Sequence, residues 1–181
     1  LTTRVAHSRS LADVGERNDI GLKSYEKNPQ KYVMVPANAK VKHVVVEDRI
    51  LNQIAYCETE AVANGLNSVE YNDKKIGVIS AGICYEYAKE ALGDKASYLK
   101  LGCVYPLPTK LIEDFCKECE TVYVLEELDD YIETHCKKIG LNVIGKEKFT
   151  LQGEYSQGMI KKVILGEEAS YLKADVDIPA R

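Results

Sequence analysis

The sequence predicts an α/β protein with a mostly parallel sheet covered by helices on both faces. Two observations support this fold class. From Lys75 onward, short β-rich runs alternate with segments of helical period. The chain also has 181 residues, 45% of them apolar, which is enough for one medium domain or two small ones. We therefore expect a three-layer α/β/α domain that is preceded by an irregular arm.

Four apolar runs of strand length are expected to form the sheet. Three of them are Lys75–Ser80, Ser97–Leu101 and Thr121–Leu125, and the fourth and shortest is Leu141–Ile144. Because helical segments rather than tight hairpin turns separate these runs, we expect the strands to be parallel.

The segments between the strands carry apolar residues at helical spacing. The first of these helices is expected to end at Gly93, the second follows Pro108, and the third begins after Asp129, a candidate N-cap. A longer helix is predicted upstream over Glu47–Asn64, where apolar residues recur at the same spacing.

Charge is distributed unevenly along the chain. Residues 1–42 carry eight basic and four acidic side chains, whereas the whole chain has a net charge of −4. The same 42 residues lack a sustained period, and a compact domain rarely contains so long a loop. We therefore expect three parts, with limits at 1–42, 43–165 and 166–181.

Composition argues against several classes of protein. The negative net charge disfavours nucleic acid as a partner, and the longest apolar runs are far shorter than the ~20 residues of a membrane span. All six cysteines lie in helical or strand patterns, which indicates reduced thiols in a cytoplasmic protein. Since the chain begins with Leu1 and has no signal-peptide pattern, we expect it to be a segment of a longer protein.

Cys116-x-x-Cys119 is a candidate metal or redox motif, because two thiolates at this spacing can share a metal ion or form a disulfide. No second pair accompanies it, and Cys119 lies on the apolar stripe of its helix. Structural thiols are therefore the favoured interpretation, and no metal site is predicted in this chain.

The turn from Gly77 to Gly82 is similar to the first strand–helix turn of a dinucleotide-binding fold. Its glycine spacing does not match the G-x-G-x-x-G pattern, and no phosphate-binding loop motif occurs elsewhere. A tight connection between strand and helix is the favoured interpretation.

An acidic cluster follows the third predicted strand and consists of Glu126, Glu127, Asp129 and Asp130. Carboxylates at this edge of a sheet can act as acid and base. An acidic first turn is also ordinary helix chemistry. We favour a helix cap, with an interface contact as the second interpretation.

The N-terminal segment combines hydroxyl groups, a guanidinium and an imidazole at Thr2, Thr3, Arg4, His7 and Ser8. These groups suit a carboxylate or phosphate ligand, because arginine binds oxyanions bidentately. A polar strand end explains the same residues equally well.

Several motifs together resemble one family, and they occur in that family's order. The chain is similar to the alpha subunit of indolepyruvate ferredoxin oxidoreductase, a thiamine-dependent 2-oxoacid:ferredoxin oxidoreductase, and it resembles a central fragment of that subunit. The motifs that carry the resemblance are TTRVAHSR (2–9), KYVMVPANA (31–39), GVI (77–79), LG (101–102), YPLP (105–108), VLEEL (124–128) and GE (153–154).

The resemblance implies an identity for each part of the chain. Residues 1–42 would be the tail of a pyrimidine-binding domain with its linker. Residues 43–165 would be a transketolase C-terminal-like domain, and residues 166–181 would lead to a diphosphate-binding domain. The match also implies that Thr3, Arg4 and His7 lie near substrate or cofactor.

The resemblance further implies the chemistry of the parent enzyme. The family oxidatively decarboxylates arylpyruvates to aryl-acetyl-coenzyme A and reduces ferredoxin, with thiamine diphosphate, Mg²⁺ and 4Fe–4S clusters as cofactors and a beta subunit as partner. This chain has neither the G-D-G…N motif nor a ferredoxin-type cysteine run. We therefore expect it to be structural and inert alone. The alternative is a free-standing α/β module that binds a partner or small ligand.

Overall fold

The structure is a computed structural model that describes residues 14–168 and residue 170. Its sheet has the spatial order β1-β3-β2-β4. The central strand β2 pairs in parallel with β3 and with β4, and only β1 is antiparallel. The expected mostly parallel α/β sheet is therefore confirmed. The strands are β1 (Ser68–Glu70), β2 (Ile76–Ala81), β3 (Ser97–Leu101) and β4 (Thr121–Leu125).

The helices of the described residues are numbered here in chain order. A 3₁₀ turn, Gly93–Lys95, follows the fourth of them. The α-helices are α1 (Pro29–Tyr32), α2 (Pro36–Glu58), α3 (Glu60–Ala63), α4 (Ile83–Leu92), α5 (Thr109–Glu118), α6 (Tyr131–Lys138) and α7 (Gln157–Leu165).

The core lies on both faces of the sheet. Val78 and Tyr98 contribute to a buried cluster that α4 and α7 cover, whereas Ile79 and Leu99 contribute to one that α5 and α6 cover. Neighbouring residues of a strand point to opposite faces, so each strand supplies both clusters. The result is the three-layer α/β/α arrangement that the alternation of strands and helices predicts.

The chain divides into two units, one ending at Lys40 and the other beginning at Val41. In the first, residues 14–28 form no helix or strand, but the irregular arm expected over residues 1–42 is wrong from Pro29 onward, where α1 and the start of α2 lie. Helix α1 follows them because Asn28 caps its start, accepting a hydrogen bond from the Lys31 N–H at 3.0 Å. The second unit holds the sheet and its covering helices.

The limits predicted for the long upstream helix are wrong. The sequence indicated Glu47–Asn64, but α2 begins at Pro36 and ends at Glu58. Val44 and Val45 are 58% and 52% exposed, so this end of the helix buries no apolar stripe from which its period could be detected. The helix ends where Thr59 leaves the helical region, at φ −121° and ψ −78°.

The fourth predicted strand, Leu141–Ile144, is also wrong as an element. Only Ile144 pairs with the sheet, through an isolated parallel bridge to Tyr123. Its carbonyl accepts from the Val124 N–H at 2.8 Å, and its own N–H donates to Val122 at 2.9 Å. Three elements, α1, β1 and α7, were not predicted.

Candidate functional site

The predicted acidic cluster lies where two adjacent parallel strands, β2 and β4, send their chains to opposite faces. Helix α4 follows β2 and packs on one face, and α6 follows β4 and packs on the other. Open α/β sheets form ligand-binding crevices at such points, outside the carboxyl ends of the strands. The cluster is therefore at the edge where a site is expected.

Glu126 caps helix α6 from the end of β4. One carboxylate oxygen, Oε2, accepts a hydrogen bond from the Ile132 N–H at 2.8 Å, and the other, Oε1, accepts one from the Glu133 N–H at 2.9 Å. Burial raises the pKa of Glu126, and these two backbone bonds oppose the increase. The carboxylate thus satisfies two of the unpaired N–H groups at the helix start.

The predicted N-cap, Asp129, is wrong by one residue. The N-cap position belongs to Asp130, whose side chain makes no capping bond and instead accepts from the Thr134 hydroxyl at 2.8 Å. Asp129 itself is exposed. The reason is that Glu126, three residues earlier in the chain, already reaches the amides that a cap would serve.

Glu127 connects β4 to the segment that leads into α7. Its Oε1 accepts a hydrogen bond from the backbone N–H of Tyr155 at 2.8 Å. Tyr155 is buried, and burial raises the pKa of its phenol to about 12. The phenol stays protonated at neutral pH and donates to the Thr150 carbonyl at 3.0 Å.

Two residues that sequence reasoning missed, the buried Glu133 and the partly buried Lys146, complete this network. Glu133 is 2% exposed and accepts hydrogen bonds from the Lys137 ammonium at 2.5 Å and from the Lys146 N–H at 2.7 Å. The Lys146 ammonium donates to the backbone carbonyl of Glu126 and, at 3.0 Å, to the phenol oxygen of Tyr155. Both charged side chains therefore have hydrogen-bond partners.

One signal in the sequence could have located this pair. Gly145 directly precedes Lys146, and a Cβ at that glycine would lie 2.2 Å from Oε2 of Glu133. Any larger residue would displace the carboxylate from its position. A glycine at this place therefore indicates a close approach by another group.

The network holds backbone in place. The carboxylate oxygens of Glu126 and Glu127 accept hydrogen bonds from backbone amides. The two oxygens of Glu133 accept one hydrogen bond from an ammonium and one from a backbone amide. Hydrogen bonds of this kind are charge-assisted and fix the geometry of the strand end. The arrangement suits positioning rather than proton transfer.

Two exposed side chains next to the network in the sequence form a partly apolar rim. Leu128 has a φ of +63° and is 61% exposed, and Tyr131, at the start of α6, is 48% exposed. A branched residue at positive φ is strained, so the turn that exposes the Leu128 side chain does so at a cost in conformational energy. This rim is the exposed part of the candidate site.

Cys116 and Cys119 are partly buried thiols on and just after α5. Burial raises the pKa of Cys116 to about 11, and the neighbouring Cys119 adds to the increase. Cys119 packs against Gly77, where a Cβ would lie 2.8 Å from its Sγ. Such thiols are poor nucleophiles and poor ligands at neutral pH, which agrees with a structural role.

The donors needed for a metal ion are not assembled in the part of the chain that the structure describes. No group of three or more histidine, cysteine, aspartate or glutamate side chains there could hold one. These residues do not fit the Mg²⁺ or iron–sulfur sites of the resembled family.

The remaining predicted site residues are placed as follows. Thr3, Arg4 and His7 lie outside the described residues. In the glycine turn after β2, Gly82 stands at the N-cap of α4 with a φ of +57°, and it offers no side chain as a cap. Ser80, two residues before Gly82, is fully buried, and its hydroxyl has no hydrogen-bond partner in the structure.

Among the residues the structure describes, no helix combines the length and the apolar character that crossing a bilayer requires.

Comparison with known sequences finds oxidoreductase subunits. The chain is 32% identical, over 98% of its length, to indolepyruvate oxidoreductase subunit IorA of Methanothermobacter thermautotrophicus. It is 30% identical, over 88% of its length, to subunit IorA of Archaeoglobus fulgidus. The chain is a homologue of part of subunit IorA. The resemblance seen in its motifs is confirmed, and its relatives are subunits of enzymes.

The chain spans less than a third of these IorA relatives, 31% of the first and 26% of the second. A solved structure of similar fold is a 2-oxoglutarate:ferredoxin oxidoreductase from Magnetococcus marinus, with 2-oxoglutarate, coenzyme A and succinyl-CoA bound. It matches 73% of this chain and 23% of its own with a TM-score of 0.50 at 19% identity, which supports the α/β fold. No family model matches the chain.

Proposed function

We propose that the protein containing this chain is an indolepyruvate:ferredoxin oxidoreductase. It oxidatively decarboxylates arylpyruvates, transfers the acyl group to coenzyme A and passes the electrons to ferredoxin. Homology to subunit IorA over 98% of this chain supports the family, and the name of that relative supports an indolepyruvate-type substrate. The structural neighbour holds a 2-oxoacid, coenzyme A and an acyl-coenzyme A, the same classes of compound.

Within that enzyme, this segment is proposed to be a structural domain. The observation that carries this assignment is the use of the strand-end carboxylates. Glu126 and Glu127 accept hydrogen bonds from backbone amides, so they hold helix α6 and the segment before α7 in place. A carboxylate committed to amides is a poor candidate for an acid–base group.

Thiamine diphosphate, Mg²⁺ and 4Fe–4S clusters are proposed to bind elsewhere in the protein. Thiamine diphosphate supplies the carbanion chemistry of 2-oxoacid decarboxylation when it is bound. The residues described here bring together no set of metal donors, and Cys116 is held as a thiol by burial. These residues are therefore proposed to take no part in the chemical steps of the reaction.

The proposed domain limits follow the resemblance. Residues 1–42 belong to a preceding pyrimidine-binding domain, residues 43–165 form the transketolase C-terminal-like domain, and residues 166–181 lead onward. The rim at Leu128 and Tyr131 is proposed to contact a neighbouring domain or the beta subunit, because its exposed apolar side chains favour a protein contact over water. The enzyme is proposed to act in the cytoplasm.

The test uses the full-length protein with its partner subunit. With indolepyruvate and coenzyme A it should reduce ferredoxin faster than with 2-oxoglutarate, whereas the 181-residue chain alone should reduce none. A preference for 2-oxoglutarate would refute the substrate assignment. Turnover by the chain alone would refute its structural role.

A further inference from the structure

Two cysteines that the proposed function does not use meet at the end of the long helix. Cys57 lies in the last turn of α2 and is 3% exposed, and Cys103 lies in the loop after β3 and is partly exposed. Although they are 46 positions apart in the sequence, the two thiols lie close enough for Cys103 to contribute to the raised pKa of Cys57. The two thiols are thus already neighbours in the folded protein.

A buried asparagine holds the two backbones together. Asn67 is fully buried, and its Nδ2 donates to the Cys57 carbonyl at 2.8 Å. Its Oδ1 accepts from the Cys103 N–H at 2.9 Å and from the Gly102 N–H at 3.0 Å. One side chain therefore connects both cysteine residues and restricts their separation.

A second close approach fixes the same loop. A Cβ added to Gly102 would lie 2.2 Å from the backbone oxygen of Leu66, so only glycine allows the loop to come this near. Leu66 and Asn67 are in turn held to α3, the short helix that directly follows α2, since both N–H groups donate to the Ala61 carbonyl, at 2.8 and 3.0 Å. The loop cannot easily move away from α2.

We propose that Cys57 and Cys103 are a reversible oxidation site that forms an intramolecular disulfide. The oxidant is a low-molecular-weight disulfide such as oxidised glutathione. In reducing compartments, disulfides of this kind are usually transient and serve redox sensing. The bond would fasten the end of α2 to the loop after β3.

The reaction proceeds by two thiol–disulfide exchanges. The more exposed thiol, Cys103, loses its proton and attacks the small disulfide, which releases one reduced thiol and leaves a mixed disulfide on Cys103. Cys57 then loses its proton and displaces the second reduced thiol. The protein gives up two protons and two electrons, and the small disulfide takes them to become two thiols.

Burial and the neighbouring Cys103 raise the pKa of the Cys57 thiol. Its thiolate is therefore scarce at neutral pH, and the second exchange should be the slow one. Closure of the disulfide should accelerate as the pH rises.

The experiment incubates the full chain with oxidised glutathione, blocks remaining thiols with N-ethylmaleimide and digests without reduction. Trypsin places the two cysteines in separate peptides, 50–74 and 101–110, each with a single cysteine. Mass spectrometry should find these two joined, with the loss of two hydrogens. Because the fold holds the pair together, their yield should exceed that of any other cysteine pair by about tenfold.

Matched variants separate this pair from general thiol reactivity. Cys57→Ser and Cys103→Ser should each abolish the linked peptides, whereas Cys116→Ser should retain them. Since a variant at a buried cysteine can lose the fold, the peptide map of the unsubstituted chain decides by itself. The same oxidation in urea should lose the preference for this pair.

Two results would overturn the proposal. One is glutathione that stays on Cys103 without closing to Cys57. The other is an equal or greater yield of peptide 111–117 joined to peptide 118–137, the link that the Cys116-x-x-Cys119 motif would make.

Discussion

Removing the side chain of Asn67 is expected to be among the most destabilising substitutions in the sheet domain. The residue is fully buried and makes three hydrogen bonds, to the backbone of Cys57, Gly102 and Cys103. Asn67→Ala removes all three and leaves two N–H groups and a carbonyl unpaired. At about 0.5–1.5 kcal/mol for each bond, the free energy of unfolding should fall by about 1.5–4.5 kcal/mol.

The assay is urea denaturation followed by far-ultraviolet circular dichroism, since the chain contains no tryptophan. The urea concentration at the midpoint of unfolding should decrease. The dependence of the free energy of unfolding on urea should not change, because the variant and the unsubstituted chain expose nearly the same surface on unfolding. Asn142→Ala is the matched control, an exposed asparagine whose loss should cost less than about 0.5 kcal/mol. If Asn67→Ala lowers the free energy of unfolding no more than the control does, then Asn67 does not hold the end of α2 to the loop after β3.

Three further outcomes follow from the same contacts. Glu126→Ala should lower the free energy of unfolding by about 0.5–2 kcal/mol, because α6 loses its cap. Glu147→Ala, at an exposed position, is the control and should lower it much less. Equal losses for the two variants would contradict the cap. Between pH 9 and about 12 the free energy of unfolding should fall, because burial raises the pKa of Cys136 and of Tyr155 to about 12 in the fold and unfolding lets both ionise earlier. Each group should contribute up to about 1.4 kcal/mol per pH unit, and a flat profile would argue against burial. Trypsin should cut first within residues 14–28, which are exposed and form no helix or strand; a first cut inside the sheet would disprove that order.

The sequence predicted the central strands well because they are continuous apolar runs bounded by turns. Thr121–Leu125 and Ser97–Leu101 match β4 and β3 residue for residue. The edge strand β1 was not predicted because it has only three residues, all half-buried, which are too few to show an alternation of apolar and polar residues. Helix α2 was predicted short because its exposed valines hide the helical period.

The candidate site was predicted only in part, for a physical reason. Its position and Glu126 could be inferred locally, because acidic residues directly follow a confident strand. The partners of this cluster, Lys146 and Tyr155, arrive from 20 and 28 residues further along the chain and meet it only through tertiary packing. No local pattern specifies such pairings.

Calorimetric titration of the chain with thiamine diphosphate and Mg²⁺ tests the central claim most directly. A structural domain whose carboxylates are engaged by backbone amides should produce no saturable heat beyond dilution. Tight, saturable binding to this chain would contradict the account, because it would place the cofactor's anchor among the residues assigned here to holding the fold.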